Sequence, residues 1–447
     1  MTLNKEMRDR GLEVGFVLIF FTIAFTWAVL QPYNTAPDEA MRYLIPKFIY
    51  QHGRLPRGDD PAIRSNIWGI SYGFLPYGAG IVSALFMKII SVFNNSARAL
   101  LLAARMASVL WGVGTVVLTI KTAKCLFQSA SSRWLYIVLI GMLPQFVFLC
   151  TYVNNDSFAI FSTAVMLYAW VIGPKSQWDR RSRTILAIGV SACALSYYNA
   201  YGMILCSIIY YCGTSGLFTK DQAKRKKEIG KILYIIFLVA LLAGWWFIRN
   251  LILYKGDLLG IQAEQACAEM FAADKYKPSN RLTLQRQGMS LITMLLHTKW
   301  AADTYHSFVG VFGVMSIHMK EWVYDAYFLL FAVSAIGTMV KTGGMLLKKK
   351  IFLHRDLLFH SMMILTIILP VLLSIYYSYT SDYQPQGRYI MPMLLPFMYY
   401  IVIGFTYVVH TFIKDEKKQN FAVAFFAVGI PFVTIFVFAT TVLPLYV

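Results

Sequence analysis

Apolar residues gather in long runs near positions 13–31, 70–93, 99–120, 134–152, 157–172, 184–198, 202–217, 231–248, 322–340, 358–377, 388–409 and 420–442. Most runs have the length, about 17 to 25 residues, that an α-helix needs to cross the hydrocarbon core of a bilayer. They lack the apolar and polar alternation of a membrane-barrel strand. Lipid offers backbone amides no hydrogen-bond partner, so a chain patterned this way crosses as helices. The prediction is an all-α, polytopic integral membrane protein. Composition agrees, since 58% of the residues are hydrophobic and 14% charged, against roughly a quarter charged in soluble domains.

The net charge of +19 would point to nucleic acid in a soluble protein. In a membrane protein it reports topology, because Lys and Arg collect in cytoplasmic connections beside anionic lipid. Counted back from the C-terminus, the basic connections fall on one side by simple alternation: Lys414, Lys417 and Lys418; Lys348 to Lys350 with Arg355; Lys224 to Lys227; Lys175 with Arg180, Arg181 and Arg183; and Lys121, Lys124 and Arg133. The basic N-terminus, with Lys5, Arg8 and Arg10, joins them only if one early run does not cross. Residues 70–93 are that run, with Pro76 and glycines 69, 73, 78 and 80 near their start. The expectation is about 11 transmembrane helices, juxtamembrane or re-entrant helices in the first outer loop, a cytoplasmic N-terminus and an outside C-terminus. The run at 11–31 is long for a signal peptide and reads as an uncleaved anchor.

Residues 1–447 read as a single membrane domain with a first outer loop at 32–98, a second large outer loop at 249–321, and short outer turns at 153–156 and 378–387. No soluble domain or internal repeat stands out. The six cysteines lie mostly in apolar stretches without a CxxC pair and read as structural thiols.

Polar residues on the expected outer face carry the candidate chemistry. Asp38 and Glu39 follow Pro37 just after the first helix. Asp38 and Arg42, four apart, would pair locally on a short helix begun by Pro37. Alternatively, a carboxylate at the membrane surface acts as a general base, or holds a metal or an acceptor hydroxyl. In Asn154-Asn155-Asp156-Ser157, Asn155 or Asp156 is placed to cap the next helix, or Asp156 completes a two-carboxylate site. Arg249 reads as the end of a helix, where the dipole favours a cation. Arg388 stands at the start of a helix entering from outside, where dipole and charge bias both disfavour it. A bound phosphate would remove that conflict. The stretch from His306 to Gly313 is apolar and too short to span, and reads as a re-entrant segment over the outer surface. His297 and His306 lack ligand spacing.

Ala36-Pro37-Asp38-Glu39, Gly53-Arg54-Leu55-Pro56, Asn154-Asn155-Asp156, Arg249-Asn250 before Tyr254, Ser307 to Gly313, and Gly387-Arg388-Tyr389 with Pro392 and Pro396 together resemble the GT-C superfamily of membrane glycosyltransferases. Within it the chain looks most like poorly characterised bacterial membrane proteins with a PDE motif in the first outer loop. The resemblance implies an inverting transfer of a sugar from a polyprenyl-phosphate-linked donor to a cell-envelope glycan, lipid or polymer acceptor at the outer face. It implies Asp38 as general base supported by Glu39, Asp156 assisting the acceptor or a divalent cation, and Arg249 and Arg388 as donor-phosphate ligands. Arg42, Tyr254, Asp257, His306, Tyr383 and Gln384 are the candidate substrate contacts. Relatives often carry a histidine soon after PDE where this chain has Met41-Arg42, so a divalent cation is an open cofactor and no metal ligand is assigned. The WWDYG motif of oligosaccharyltransferases is absent. A transporter or flippase of lipid-linked glycans, or a polysaccharide ligase or polymerase, is the alternative. A transporter would place ionisable groups near the bilayer midplane, where these runs are nearly free of them.

Overall fold

A computed structural model describes residues 2–347 and 354–446. The basic connection Lys348 to Lys350 lies outside the described residues. The helices follow in order as α1 (Thr2–Leu30), α2 (Glu39–His52), α3 (Gly78–Ile90), α4 (Ala97–Leu126), α5 (Ala130–Gly141), α6 (Pro144–Leu149) and α7 (Asp156–Ile172). Then come α8 (Arg180–Ala194), α9 (Tyr201–Thr214), α10 (Gln222–Val239), α11 (Trp245–Leu253), α12 (Ile261–Phe271), α13 (Leu291–His297) and α14 (Trp300–Gly310). The last are α15 (Glu321–Leu347), α16 (His354–Thr380), α17 (Leu394–Phe412), α18 (Glu416–Val437) and α19 (Leu443–Tyr446). A two-residue strand pair, β1 (Val311–Phe312) with antiparallel β2 (Ile317–His318), closes the turn after α14.

Among the described residues seven helices are long and apolar enough to cross a membrane: Glu6–Leu30, Ala97–Leu126, Gln222–Leu253, Glu321–Met345, His354–Thr380, Gly387–Phe412 and Glu416–Tyr446. The expected crossings at 134–152, 157–172, 184–198 and 202–217 form shorter helices, and the first of these is broken at Pro144 into α5 and α6. The run at 70–93 divides into a 3-10 turn, Tyr72–Phe74, and the 13-residue α3. At 1.5 Å per residue α3 is about 20 Å long, short of the hydrocarbon core. It lies against α2 and α4.

The helix ends sort into two sets. At one end Glu13 of α1 pairs with Lys124 of α4 at 2.7 Å, Ser129 and Ser131 donate to Asn420, and Lys231 donates to the Gln177 carbonyl. The basic connections among the described residues sit here. The other ends of α1, α7 and α17 carry Asp38, Asp156 and Arg388. The outer wall shows Leu233, Phe237, Leu241, Phe425 and Phe432 exposed, as lipid-facing positions should be. Packing is tightest between α15 and α17, where a Cβ on Gly404 would collide with the Ser334 carbonyl and one on Gly337 with the Gly404 carbonyl. Small residues let two helices approach closely where lipid supplies no hydrophobic drive to hold them.

Candidate functional site

The Pro37-Asp38-Glu39 turn splits its two acids between different tasks. Asp38 takes φ 61°, ψ 7°, a left-handed conformation that few non-glycine residues adopt, and makes no side-chain cap to α2. The helix starts one residue later, at Glu39, so Pro37 precedes it instead of opening it. This backbone presents the Asp38 carboxylate to Arg388, whose Nη2 donates to Oδ2 at 2.7 Å. The local pairing with Arg42 is thereby replaced by a contact 350 residues apart in sequence. Burial pushes the Asp38 carboxyl up, but the Arg388 and Arg42 charges and hydrogen bonds from Arg388 and Tyr72 outweigh it and hold it below its ordinary value.

Glu39 is fully buried and faces inward. Both its oxygens meet Arg105 of α4 at 2.7 Å, and they also accept from the Asn34 and Val153 amides. Arg105 spends its other N–H groups on the carbonyls of Ala28, Gln31 and Pro32. This pair ties the C-terminal end of α1 to α4 and sets where the Asp38 turn begins. Arg105 was legible as a charge inside the 99–120 run, and such a residue is a functional or structural signal by default. Sequence reasoning passed over it.

Arg42 and Asp156 are both buried, and the Asp156 charge acts on Arg42. Arg42 is 5% exposed, stacks at 4.3 Å over the Tyr72 ring and 5.6 Å from the Tyr197 ring, and has Nε and Nη1 buried without a partner among the described residues. The charges acting on it include Asp156 and Asp38. Asp156 is 3% exposed with Oδ2 unpartnered. It opens α7, where the helix start favours an anion. The capping job falls to neither Asn155 nor Asp156: Asn154 Oδ1 accepts from the Ser157 amide at 2.9 Å. Asn155 instead donates to the carbonyls of Pro76 and Ser196, pinning the first outer loop to the turn after α8. The Asp156 carboxylate is left for something else.

Arg388 is presented by a 3-10 turn, Gly387–Met393, that leads into α17. Gly387 is required by close approach, because a Cβ there would collide with the Phe308 backbone. Its amide donates to Ser307 Oγ at 2.6 Å. The Ser307 to Gly313 stretch therefore serves as a buttress: α14 lies against the 387–393 turn, and β1 packs on α14 and α6, instead of forming a separate re-entrant segment. Arg388 donates from Nε to Gln386 and from Nη2 to Asp38 and Tyr389, and its Nη1 is buried without a partner. Tyr389 in turn donates to Gln384 Oε1.

Other expected contacts lie around this cluster. Arg249 does not end its helix, which runs on to Leu253 after a π turn at Ala240–Gly244. The extra residue of such a turn shifts the following face. Arg249 donates to the Pro56 carbonyl, lies beside Trp246 and Tyr77, and keeps Nη1 free and buried. Its contacts are thus with the 56–77 segment. Tyr254 accepts from the Gly58 amide at 2.8 Å, and Asp257 accepts from the Gly260 and Ala263 amides at the start of α12. These two brace loops. The His306 ring stacks on Tyr324 at 4.3 Å, and Tyr383 donates to Thr298. Tyr72, Tyr197 and Tyr389, which wall the cluster, were not singled out as a group from the sequence, where they are three of 28 tyrosines.

The residues present fit a divalent cation poorly. Among the described residues no three His, Cys, Asp or Glu side chains come together as ligands. Glu39 is consumed by Arg105, Asp38 by Arg388, and a guanidinium stands within electrostatic reach of both Asp38 and Asp156.

Long apolar helices, a pair of shorter helices after the first, an acidic turn after α1, an acid opening α7 and an arginine before α17 make up a helical membrane protein of GT-C-like fold. No family model and no curated protein matches the chain. Among solved structures, the Archaeoglobus fulgidus oligosaccharyltransferase tethered with an acceptor peptide containing the NVT sequon matches 95% of this chain with a TM-score of 0.55 at 12% identity. The same protein in complex with Zn and sulfate matches 94% with a TM-score of 0.52 at 14% identity. As AglB, in complex with an inhibitory peptide and a dolichol-phosphate, it matches 96% with a TM-score of 0.52 at 12% identity. The chain covers 54%, 51% and 55% of those chains respectively, about half their length. The likeness is one of fold.

Proposed function

We propose that this protein is a membrane glycosyltransferase that moves a sugar from a polyprenyl-phosphate-linked donor to a cell-envelope acceptor at the outer face of the membrane, with inversion. The observation that carries the reading is the convergence, at one end of the helices, of the Asp38–Arg388 pair with unpartnered buried atoms of Arg42, Arg388 and Asp156. Buried polar atoms without partners cost roughly 1 to 3 kcal/mol each, and more when charged. A site that leaves guanidinium N–H groups unmet is built for an anionic ligand, and guanidinium matches phosphate geometry. The GT-C fold supports the same reading, as does a dolichol-phosphate bound to a neighbour of that fold.

In this mechanism the donor phosphate takes N–H groups of Arg388 and Arg42, and Asp38 loses its arginine partner to the incoming anion. The freed carboxylate accepts the proton of the acceptor hydroxyl. The hydroxyl oxygen bonds to the anomeric carbon from the face opposite the phosphate, the carbon–oxygen bond to phosphate breaks, and its electron pair stays on the phosphate oxygen. The arginines stabilise that developing charge, the task that preorganised donors perform most effectively in a dry site. Asp156 orients the acceptor. Basic helix ends on the opposite side support an N-terminus in the cytoplasm and a site outside. Transport is disfavoured because the charged pair that α4 carries into the helix bundle, Glu39 with Arg105, has its hydrogen bonds satisfied and is locked.

Asp38→Asn tests the proposal in purified protein supplied with a polyprenyl-phosphate sugar and envelope acceptors. Transfer should fall by about 100-fold or more, the lower end of what a general base supplies, with the thermal unfolding profile retained. Transfer at the wild-type rate would remove Asp38 from the chemistry.

A further inference from the structure

The poor fit to a metal has a positive counterpart in Arg42. Its guanidinium is buried and lies within cation–π range of the Tyr72 and Tyr197 rings, 4.3 and 5.6 Å from their centroids. It comes from the second turn of α2, a helix held on one side by the Glu39–Arg105 pair and packed on α3. Two of its nitrogens, Nε and Nη1, are buried without a partner, as is Asp156 Oδ2, and although the Asp156 and Asp38 charges act on Arg42 neither closes an ion pair on it. Thus two carboxylates from opposite parts of the chain share one immovable cation with open hydrogen-bonding positions. We propose that Arg42 is the built-in cation of this site: it neutralises Asp156 and Asp38 against an approaching phosphate, lends that phosphate its free N–H groups, and makes transfer independent of divalent metal.

The proposal deepens the glycosyltransferase reading and rests on it for the identity of the phosphate ligand. The physical case is local. A divalent ion between Asp38 and Asp156 would sit against a buried guanidinium, and like charges in a low-dielectric site repel strongly. Rotating Arg42 aside would strip it from two aromatic faces and leave its charge buried elsewhere, which is costly.

Two measurements on the full-length protein in lipid nanodiscs decide it. The first reads metal alone: Mn²⁺ titration followed by electron paramagnetic resonance, compared between wild type and Asp156→Asn. Wild type should bind no Mn²⁺ that Asp156→Asn removes, whereas Arg42→Glu, which exchanges the cation for a third carboxylate, should gain an Asp156-dependent Mn²⁺ site. Arg42→His replaces it where Arg42→Glu does not fold. Mn²⁺ bound by wild type and lost in Asp156→Asn overturns the proposal, whatever the activity. The second reads transfer after exhaustive EDTA treatment. The rate should stay within about twofold of untreated protein, while Arg42→Gln should lose about 100-fold, the size of one lost charge stabiliser, and Arg42→Lys should recover part of it. Loss of wild-type transfer on EDTA with restoration by Mg²⁺, Mn²⁺ or Zn²⁺ overturns the proposal. If wild type transfers sugar from no polyprenyl-phosphate donor, the functional reading falls, and the Mn²⁺ titration still judges Arg42.

Discussion

Asp38 is held by a partner that the donor must also use. Its depressed pKa means the Asp38–Arg388 pair stabilises the fold fully above the ordinary carboxylate pKa of about 3.9 and loses that contribution as pH falls through the lower folded value. In the free protein Asp38 therefore stays ionised through neutral and mildly acid pH. Once a donor phosphate occupies Arg388, the carboxylate faces an anion in place of a cation, and its pKa rises. The acid limb of kcat should then lie at higher pH than that of kcat/KM, since the former reports the complex and the latter the free enzyme. Coincident limbs would show that donor binding leaves the pair intact. Glu39, one residue on, obeys different physics. Its charge is buried and matched to Arg105, so Glu39→Ala should cost about 3 to 5 kcal/mol by stranding a guanidinium. Glu39→Leu combined with Arg105→Met should recover much of that loss in a chemical-denaturation midpoint. A double variant as unstable as Glu39→Ala would mean that the pair has a role beyond mutual neutralisation.

Elements deliver these residues through backbone features that side-chain pattern does not report. The 387–393 turn carries Arg388 only because Gly387 can touch the Phe308 backbone. Gly387→Ala should displace the turn by the width of a methyl group and lower donor affinity, with a smaller loss of thermal stability, because overpacking typically costs 1 to 3 kcal/mol. Unchanged donor affinity in Gly387→Ala would show that Arg388 reaches the donor from either position. The same logic explains why the 306–313 stretch reads from sequence as a re-entrant segment: its apolar residues are buried against protein, and a hydrophobicity count does not distinguish protein from lipid. The π turn at Ala240–Gly244 likewise left no mark in the Trp245-Trp246-Phe247 motif, yet it shifts the face on which Arg249 stands.

At the scale of the molecule, two sets of helix ends separate the basic connections from the acid and arginine cluster. The proposed orientation in the membrane rests on the charge bias, and it is tested by cysteine accessibility in a background lacking the six native thiols. Asp59→Cys, in the first outer loop, should react with a membrane-impermeant maleimide on intact cells, and Lys226→Cys, before α10, only after permeabilisation. The opposite pattern would invert the topology and remove the outer-face site. By itself the sequence determined the solvent, the helical class, the broken run at 70–93, and the set of polar residues worth watching. Each is a local or additive property: run length, charge count, proline and glycine placement. The tertiary structure alone decided which of those residues meet. Asp38 paired with a partner 350 positions away, Glu39 turned inward to Arg105, Asn154 took over the cap, and Arg42 came to rest beside two tyrosines within the field of Asp156. These choices depend on one left-handed residue and on helix ends brought together by burial, and neither leaves a periodic trace in the chain.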